Sequence, residues 1–454
     1  MDRIVVISPP FFSHARPMTV LASALRAAGA EVWFACAPAF AQAAEEAGLE
    51  FTPLTVTRNA NTGIAETTIQ EATEAARLRE FLDSTRQGAV TALLTQARHR
   101  RADMLADPER VLEELSALEE ELRPDWYVVD QLSYAATLAL HCLGLPYATY
   151  CPGHPSYLPA GAESHFGVPY AWPEAIRPAE SDLAVLHSAA EDNDTAFSRL
   201  FAEFARAHAP QRPSPGRAFA LTSPHAVVLN YPALDWLPVP PAGPSRLFMG
   251  HCSSLAPSPP EPLTEPWAGE LARLGASGQP VVLVALGTFL SARDDILTTV
   301  AEGVLHHTTA SVIVAAGDRT AEVRRRTEGL SGRSERLLVV DTVPQTELLP
   351  RVGAMVHHGG NNSFTECLQA GVPALLLPFS SDQFAVAHDA ERVGAGICLN
   401  PVTLTAQSVG KAVAGLLTDP PSGLARLNAE VRARGPHWAA SRLIDAMAER
   451  SPQR

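Results

Sequence analysis

At 454 residues the chain is too long for one ordinary hydrophobic core, and two domains are the natural division. Hydrophobic residues make up 46% of it, and its formal net charge of −14 argues against nucleic acid or an anionic membrane as the main partner. The cysteines, Cys36, Cys142, Cys151, Cys252, Cys367 and Cys398, are scattered with no Cys-x-x-Cys pair, which points to neither a disulfide framework nor a zinc site.

A continuous apolar run predicts a buried parallel strand over residues 4–8, almost at the start of the chain. That leaves no room for a signal h-region, and no apolar run nears the roughly 20 residues that span a bilayer, so a cytoplasmic location is expected. Residues 9–16 read as a loop, with Pro17 in the first turn of a helix that carries Val20, Leu21 and Leu25 and ends near Gly29. A strand at 31–36, a helix at 38–47 and a strand at 51–54 complete a βαβαβ opening. No G-x-G-x-x-G follows the first strand, so a nicotinamide or flavin dinucleotide is not favoured. Residues 65–122 are helical in pattern, with Glu113, Glu114, Glu119, Glu120 and Glu121 on a solvated face. A strand at 126–130 ends in Asp130, a helix at 135–143 and a strand at 146–150 follow, and 151–177 reads as an irregular surface loop. A strand at 226–230 closes the first half. The proline-dense stretch 236–265, interrupted only by the apolar island Leu247-Phe248-Met249-Gly250, reads as an extended interdomain connection.

The α/β pattern then restarts. Strands are expected at 281–286, ending in Gly287-Thr288, and at 311–316, 337–340 and 374–378, with helices at 296–304, 405–417 and 438–450. Within this half, Met355-Val356-His357-His358 runs into Gly359-Gly360-Asn361-Asn362. A helix is then predicted to start at Ser363, with Glu366 at capping-box spacing, and to end at Gly371-Val372-Pro373. A helix N-terminus behind a glycine turn suits a phosphate, although such turns also occur as ordinary scaffold.

Three groups could carry chemistry. His14 lies at the C-terminal edge of the first strand, where a histidine can act as a general base or simply cap the surface. Asp130 ends a strand of the same sheet, and could orient that imidazole or cap the helix beginning near Ser133. Asp382-Gln383 can bind vicinal sugar hydroxyls, or Asp382 can cap the next helix.

The segment His358-Gly359-Gly360-x-Asn362-Ser363-x-x-Glu366, followed by Gly371-Val372-Pro373, Pro378, Asp382-Gln383 and Gly394-x-Gly396, resembles the nucleotide-sugar signature of family 1 glycosyltransferases. Val343-Pro344-Gln345, Leu286-Gly287-Thr288 and His14-x-x-Pro17 fall in that family's order. The resemblance implies a GT-B fold, two Rossmann-like doubly wound parallel-sheet domains facing across a cleft. It divides the chain into an acceptor domain (1–235), the connection (236–265), a nucleotide-sugar domain (266–435) and a last helix crossing back (436–454). It also implies that His358, Gly360, Asn362, Ser363 and Thr288 surround the donor's diphosphate and that Glu366 takes the ribose. Gln345 and the Val343 backbone would line the base site, and Asp382 and Gln383 would hold the sugar. His14 would deprotonate the acceptor, with Asp130 as its partner.

The expected reaction is inverting, metal-independent transfer from a UDP- or dTDP-sugar, without a cofactor, to a hydroxyl or amine of a hydrophobic small molecule. The apolar loop residues Phe11, Phe12, Tyr157, Phe166, Tyr170 and Trp172 are consistent with such an acceptor. The protein is expected to be a monomer or homodimer. An epimerase of the same fold and a silent nucleotide-sugar-binding auxiliary are the alternatives. Two departures from the family pattern stand out: Thr342 replaces an aromatic that would stack on the base, and Ser13 replaces the glycine before the histidine.

Overall fold

The computed structural model describes residues 2–57, 61, 72–103, 105–238, 243–253, 262–276, 278–330 and 333–449. The expected helix start at 65–71, Pro240, Pro241, Pro257, Pro259 and Pro260 of the connection, and residue 450 lie outside them.

Two all-parallel sheets carry the chain. The first has seven strands: β1 (Arg3–Ile7), β2 (Glu31–Cys36), β3 (Glu50–Pro53), β4 (Trp126–Asp130), β5 (Tyr147–Cys151), β6 (Ala226–Leu229) and β7 (Ser245–Phe248), in the order β3-β2-β1-β4-β5-β6-β7. The second has six: β8 (Val281–Ala285), β9 (Ser311–Ala315), β10 (Leu337–Val340), β11 (Ala354–His357), β12 (Ala374–Leu376) and β13 (Gly396–Cys398), in the order β10-β9-β8-β11-β12-β13. The central strands are apolar along most of their length because helices cover both faces. Every residue of β4 and β8 is buried. In each sheet the order reverses between two adjacent strands, β1 beside β4 and β8 beside β11. A crevice opens at the carboxyl ends of such a pair. His14 and Asp130 follow or end the first pair, and Gly287 and His358 follow the second.

Several elements differ from expectation. The helix Phe12–Ala27 begins five residues before Pro17, so the proline is interior and His14 sits on the helix, not in a loop. Leu247 and Phe248 of the apolar island belong to β7, which pairs with β6 in the first sheet. The segment after β5 is not a surface loop: His154, Pro155, Ser156, Leu158 and Phe166 are buried. A 29-residue helix, Glu180–His208, has no counterpart in the sequence reading; it buries Phe197, Phe201 and Phe204. The helix Pro436–Ala448 packs Ala439, Ala440, Leu443 and Met447 among Met18, Leu21 and Leu25 of the first domain.

The helices Asp294–His307 and Ala406–Thr418 cross with their backbones in contact. A Cβ on Gly303 would stand 2.6 Å from the Ala406 carbonyl oxygen and 2.8 Å from the Val409 Cβ. In an open helix Gly→Ala gains up to about 1 kcal/mol. Here Gly303→Ala is expected to destabilise by about 1–3 kcal/mol in urea unfolding, because overpacking against backbone cannot relax.

Candidate active site between the domains

Pro17 shapes the first half of the site. It has no N–H to give the Ser13 carbonyl four residues back, so that oxygen is left free inside a helix. It accepts instead from Asn362 Nδ2 of the second domain, at 2.8 Å. One residue on, His14 Nδ1 lies 2.9 Å from Asp130 Oδ2, with the carboxylate fully buried and the imidazole 17% exposed. A carboxylate at Nδ1 holds the proton there and leaves Nε2 as the basic nitrogen. The other Asp130 oxygen accepts from the Leu132 amide at 2.8 Å, tightening the turn, while the following helix, Tyr134–Leu143, is entered through Ser133.

In the second domain the helix after β11 is Asn361–Ala370, two residues longer at its start than expected, with Gly360 at the N-cap and no side-chain cap. The Ser363–Glu366 capping box therefore does not form, because both residues lie inside the helix. Their side chains meet Gln345 instead: its Nε2 donates to Glu366 Oε2 at 2.6 Å and to Ser363 Oγ at 3.2 Å. Three of the expected donor residues thus form one cluster. Burial raises the Glu366 pKa, against the opposing charge of Arg16 and the Gln345 hydrogen bond. Arg16 belongs to the first domain and faces this cluster across the cleft; only its spacing of two from His14 could have pointed to it. Val343 is half-buried, and its carbonyl accepts from the Gln345 amide at 2.9 Å. Thr288 is half-buried in the short helix Gly287–Leu290, and Thr342 is exposed.

His358 fills the space between two glycines. A Cβ on Gly287, whose φ is +74°, would stand 2.7 Å from His358 Cε1, and one on Gly360 would collide with the same ring. The glycines of both turns are therefore required by the imidazole as well as by any anion. Burial lowers the His358 pKa to about 4, and its Nδ1 has no partner. His357 behind it is lowered to about 3 by burial and by its neighbour's charge.

The two halves meet at Asp382. The helix Gln383–Arg392 gets no side-chain cap from it; Oδ2 accepts from the His154 amide of the first domain at 2.8 Å. Burial raises the Asp382 pKa, while that hydrogen bond and the charges of His154 and His14 oppose the rise. Gln383 Oε1 accepts from the Phe379 and Ser380 amides at 2.8 and 3.1 Å, which commits the amide oxygen to the turn. Asn362 is committed too: its Oδ1 accepts from Asn230 Nδ2 at 3.0 Å.

Asp389, on the same helix as Gln383, escaped sequence reasoning. It is fully buried and receives four donors from the first half of the chain and the segment after it: His154 Nε2 at 2.8 Å, Tyr231 Oη at 2.9 Å, Trp236 Nε1 at 2.9 Å and Tyr170 Oη. His154 Nδ1 accepts from the Ser156 amide, which leaves the proton on Nε2 for Asp389. Burial pushes the Asp389 pKa up, but the hydrogen bonds and charge of these partners outweigh it and the net shift is downward. The available signal was a lone carboxylate among Phe384, Ala385, Val386, Ala387 and Ala390. An Asp-x-Asp spacing occurs at Asp192 and Asp194, but in mid-helix, where residues two apart diverge: Asp192 is exposed and Asp194 is paired with Arg217 Nε at 2.7 Å. Among the described residues no group of three or more His, Cys, Asp or Glu is placed to hold a metal ion, and no helix is long and apolar enough to cross a membrane.

Two facing Rossmann-like domains, with a His–Asp pair on one rim and a glycine-cradled histidine at a helix N-terminus on the other, define a GT-B protein. Residues 23–181 match the family model "Erythromycin biosynthesis protein CIII-like, N-terminal domain", and residues 320–437 match its C-terminal counterpart. Together these take in more than half of the chain, which belongs to this family of GT-B glycosyltransferases. Among curated relatives, it is 29% identical over 172 residues to the demethyllactenocin mycarosyltransferase of Streptomyces fradiae, covering 37% of this chain and 36% of that protein. It is 33% identical over 144 residues to the NDP-glycosyltransferase YjiC of Bacillus licheniformis, covering 32% and 35%. These matches therefore span only about a third of each relative's length. The fold is shared with the kitacinnamycin glycotransferase, at TM-score 0.65 and 21% identity over 98% of both chains. It is shared too with VinC in complex with dTDP, at 0.64 and 19% over 98% and 100%.

Replacing Asp389 with Asn keeps the shape but turns one acceptor into a donor facing donors. Asp389→Asn is expected to lower unfolding stability by about 2–4 kcal/mol. It should also enlarge the radius of gyration in small-angle X-ray scattering; an unchanged radius and stability would show that the carboxylate does not hold the domains together.

Proposed function

We propose that the protein transfers a sugar, with inversion and without a metal ion, from a UDP- or dTDP-sugar to a hydroxyl of a hydrophobic small molecule. The observation that carries this is the His14–Asp130 pair, 2.9 Å apart at the switch point of the first sheet. His14 Nε2 takes the proton as the acceptor oxygen attacks the anomeric carbon, and Asp130 stabilises the imidazolium that forms. Asp382, and the Gln383 amide nitrogen, hold the sugar's hydroxyls. Glu366 and Gln345 take the nucleoside, a reading supported by their contact as a carboxylate and an amide. The leaving diphosphate lies at the N-terminus of the helix Asn361–Ala370, where free N–H groups and about half a positive charge meet it. His358 adds a proton there, and the developing charge is stabilised where it appears. The relatives named for mycarosyl and NDP-glycosyl transfer, and the neighbour holding dTDP, support this reading.

Incubation with labelled UDP- and dTDP-sugars and a panel of hydrophobic alcohols tests the reaction; no acceptor-dependent transfer from any of them would refute it. His14→Ala is expected to lower kcat by roughly 10²–10⁴-fold with donor binding retained. Near-full turnover on an alcohol acceptor would remove His14 from the mechanism.

His358 supplies a pH signature. Its pKa is about 4 in the free protein, and a diphosphate beside it favours the charged form. The bound-state pKa is then the higher one, so binding takes up a proton. The extra affinity is present below the bound-state value and lost as pH rises through it. Calorimetry of dTDP binding in two buffers of different ionisation enthalpy should show this uptake in the native protein and less of it in His358→Gln. Equal uptake in both would place the proton elsewhere.

A further inference from the structure

Three non-glycine residues among those described have a positive φ. Asp107 and Arg123 flank the helix Pro108–Leu122. The third, Ser381 at +56°, immediately precedes Asp382, where the two domains meet. A residue with a side chain keeps this left-handed conformation only where its surroundings impose it, and such residues gather at binding sites. What imposes it on Ser381 comes from the other domain. The Ser381 amide donates to Gln96 Oε1 at 3.0 Å, and Gln96 Nε2 donates to Ser381 Oγ at 2.8 Å. A backbone N–H can only donate, so this pair fixes which way round the glutamine amide lies. Both of its polar atoms are committed to one residue of the second domain.

Gln96 is carried to that position by a packed contact. It lies on the helix Ala89–Asp103, which packs on the helix Ala72–Gln87. The latter helix belongs to the first half of the chain but buries Phe81 and Leu82 among Leu290 and Phe379 of the second. Arg293, itself buried, donates from Nη1 to the Thr85 carbonyl at 3.3 Å and hydroxyl at 3.1 Å, and its guanidinium stands 5.1 Å over the Phe379 ring. The turn before the helix Gln383–Arg392 is thus held from two sides. The Phe379 and Ser380 amides close on Gln383 within the second domain, whereas Ser381 and Asp382 are bonded to Gln96 and to the His154 amide of the first. Gln383 is positioned by its own domain, and Asp382 by the other.

We propose that Gln96 is a positioning residue for the donor's sugar: it holds Ser381 in the left-handed conformation that sets the direction of Asp382, so that the acceptor domain takes part in reading the donor. This rests on the sugar-binding role proposed above for Asp382. Gln96 acts through the turn and takes no part in the chemistry, which stays with His14. Its effect is confined to the sugar half of the donor, because the nucleoside and diphosphate are assigned to Gln345 and to the helix Asn361–Ala370, which the Gln96 clamp does not touch.

Calorimetric titration with dTDP-glucose beside dTDP, and with UDP-glucose beside UDP, separates the sugar's share of binding from the nucleotide's. Gln96→Met fills the same space without the amide. It is expected to weaken binding of the nucleotide sugar by roughly three- to tenfold, the size of one hydrogen bond, with affinity for the bare diphosphate unchanged. Asp382→Ala should lose at least as much, again on the sugar alone. Adding Ser381→Gly to Gln96→Met should recover most of the loss, because glycine adopts a positive φ without a clamp. A bond that merely held the two halves together would not be rescued in this way. A Gln96→Met protein that keeps the native sugar share, one that loses the bare diphosphate equally, or no recovery with Ser381→Gly would overturn the inference. If Gln96→Met does not fold, Gln96→Ala with and without Ser381→Gly is read in the same way. Failure of the donor reading itself looks different: Asp382→Ala would leave the sugar's share untouched, or the native protein would bind neither nucleotide sugar, and the positioning role would fall with it.

Discussion

Asp389 is a fully buried carboxylate whose pKa is held down by its partners, and four donors from His154, Tyr170, Tyr231 and Trp236 close over it. A buried charge of this kind is tolerable only when every lone pair is met. All four donors come from before the second domain and the acceptor from within it, so satisfying the charge requires the domains to sit in one relative position. That position also brings the His154 amide to Asp382 and the Ser13 carbonyl to Asn362. The placement of His14 relative to Asp382 therefore depends on these interdomain hydrogen bonds.

The second domain handles charge in another way. His357 and His358 are both kept neutral by burial, in a turn that has room for an imidazole only because Gly287 and Gly360 lack side chains. A neutral histidine at a helix N-terminus does not compete with the positive end of the helix. In the proposed reaction it would become a cation when the diphosphate arrives, coupling the local charge to occupancy.

Most of the scaffold was legible because the central strands are buried on both faces and read as apolar runs; β1, β4, β8 and β9 follow this rule. What was misread has local causes. Pro17 looked like a helix start because prolines favour that position, yet its freed carbonyl is used between domains. Ser363 and Glu366 had capping-box spacing, but Gly359-Gly360 and the fit of His358 set the helix start earlier. The stretch around His154 and Tyr170 has loop composition because its polar side chains point at Asp389, a partner more than two hundred residues away.

The sequence by itself determined two parallel α/β domains and the set of polar residues at the carboxyl ends of their strands, because strand periodicity and glycine turns are local properties. It also carried His14, Asp130, Asp382 and the segment 358–366 as candidates in one chain. Only the tertiary structure decided which of these meet: His14 with Asp130, Gln345 with Ser363 and Glu366, and Asp382 with His154. It alone revealed Asp389 as the carboxylate joining the domains. The reason is that burial and pairing of charge depend on neighbours distant in sequence, and no local pattern encodes them.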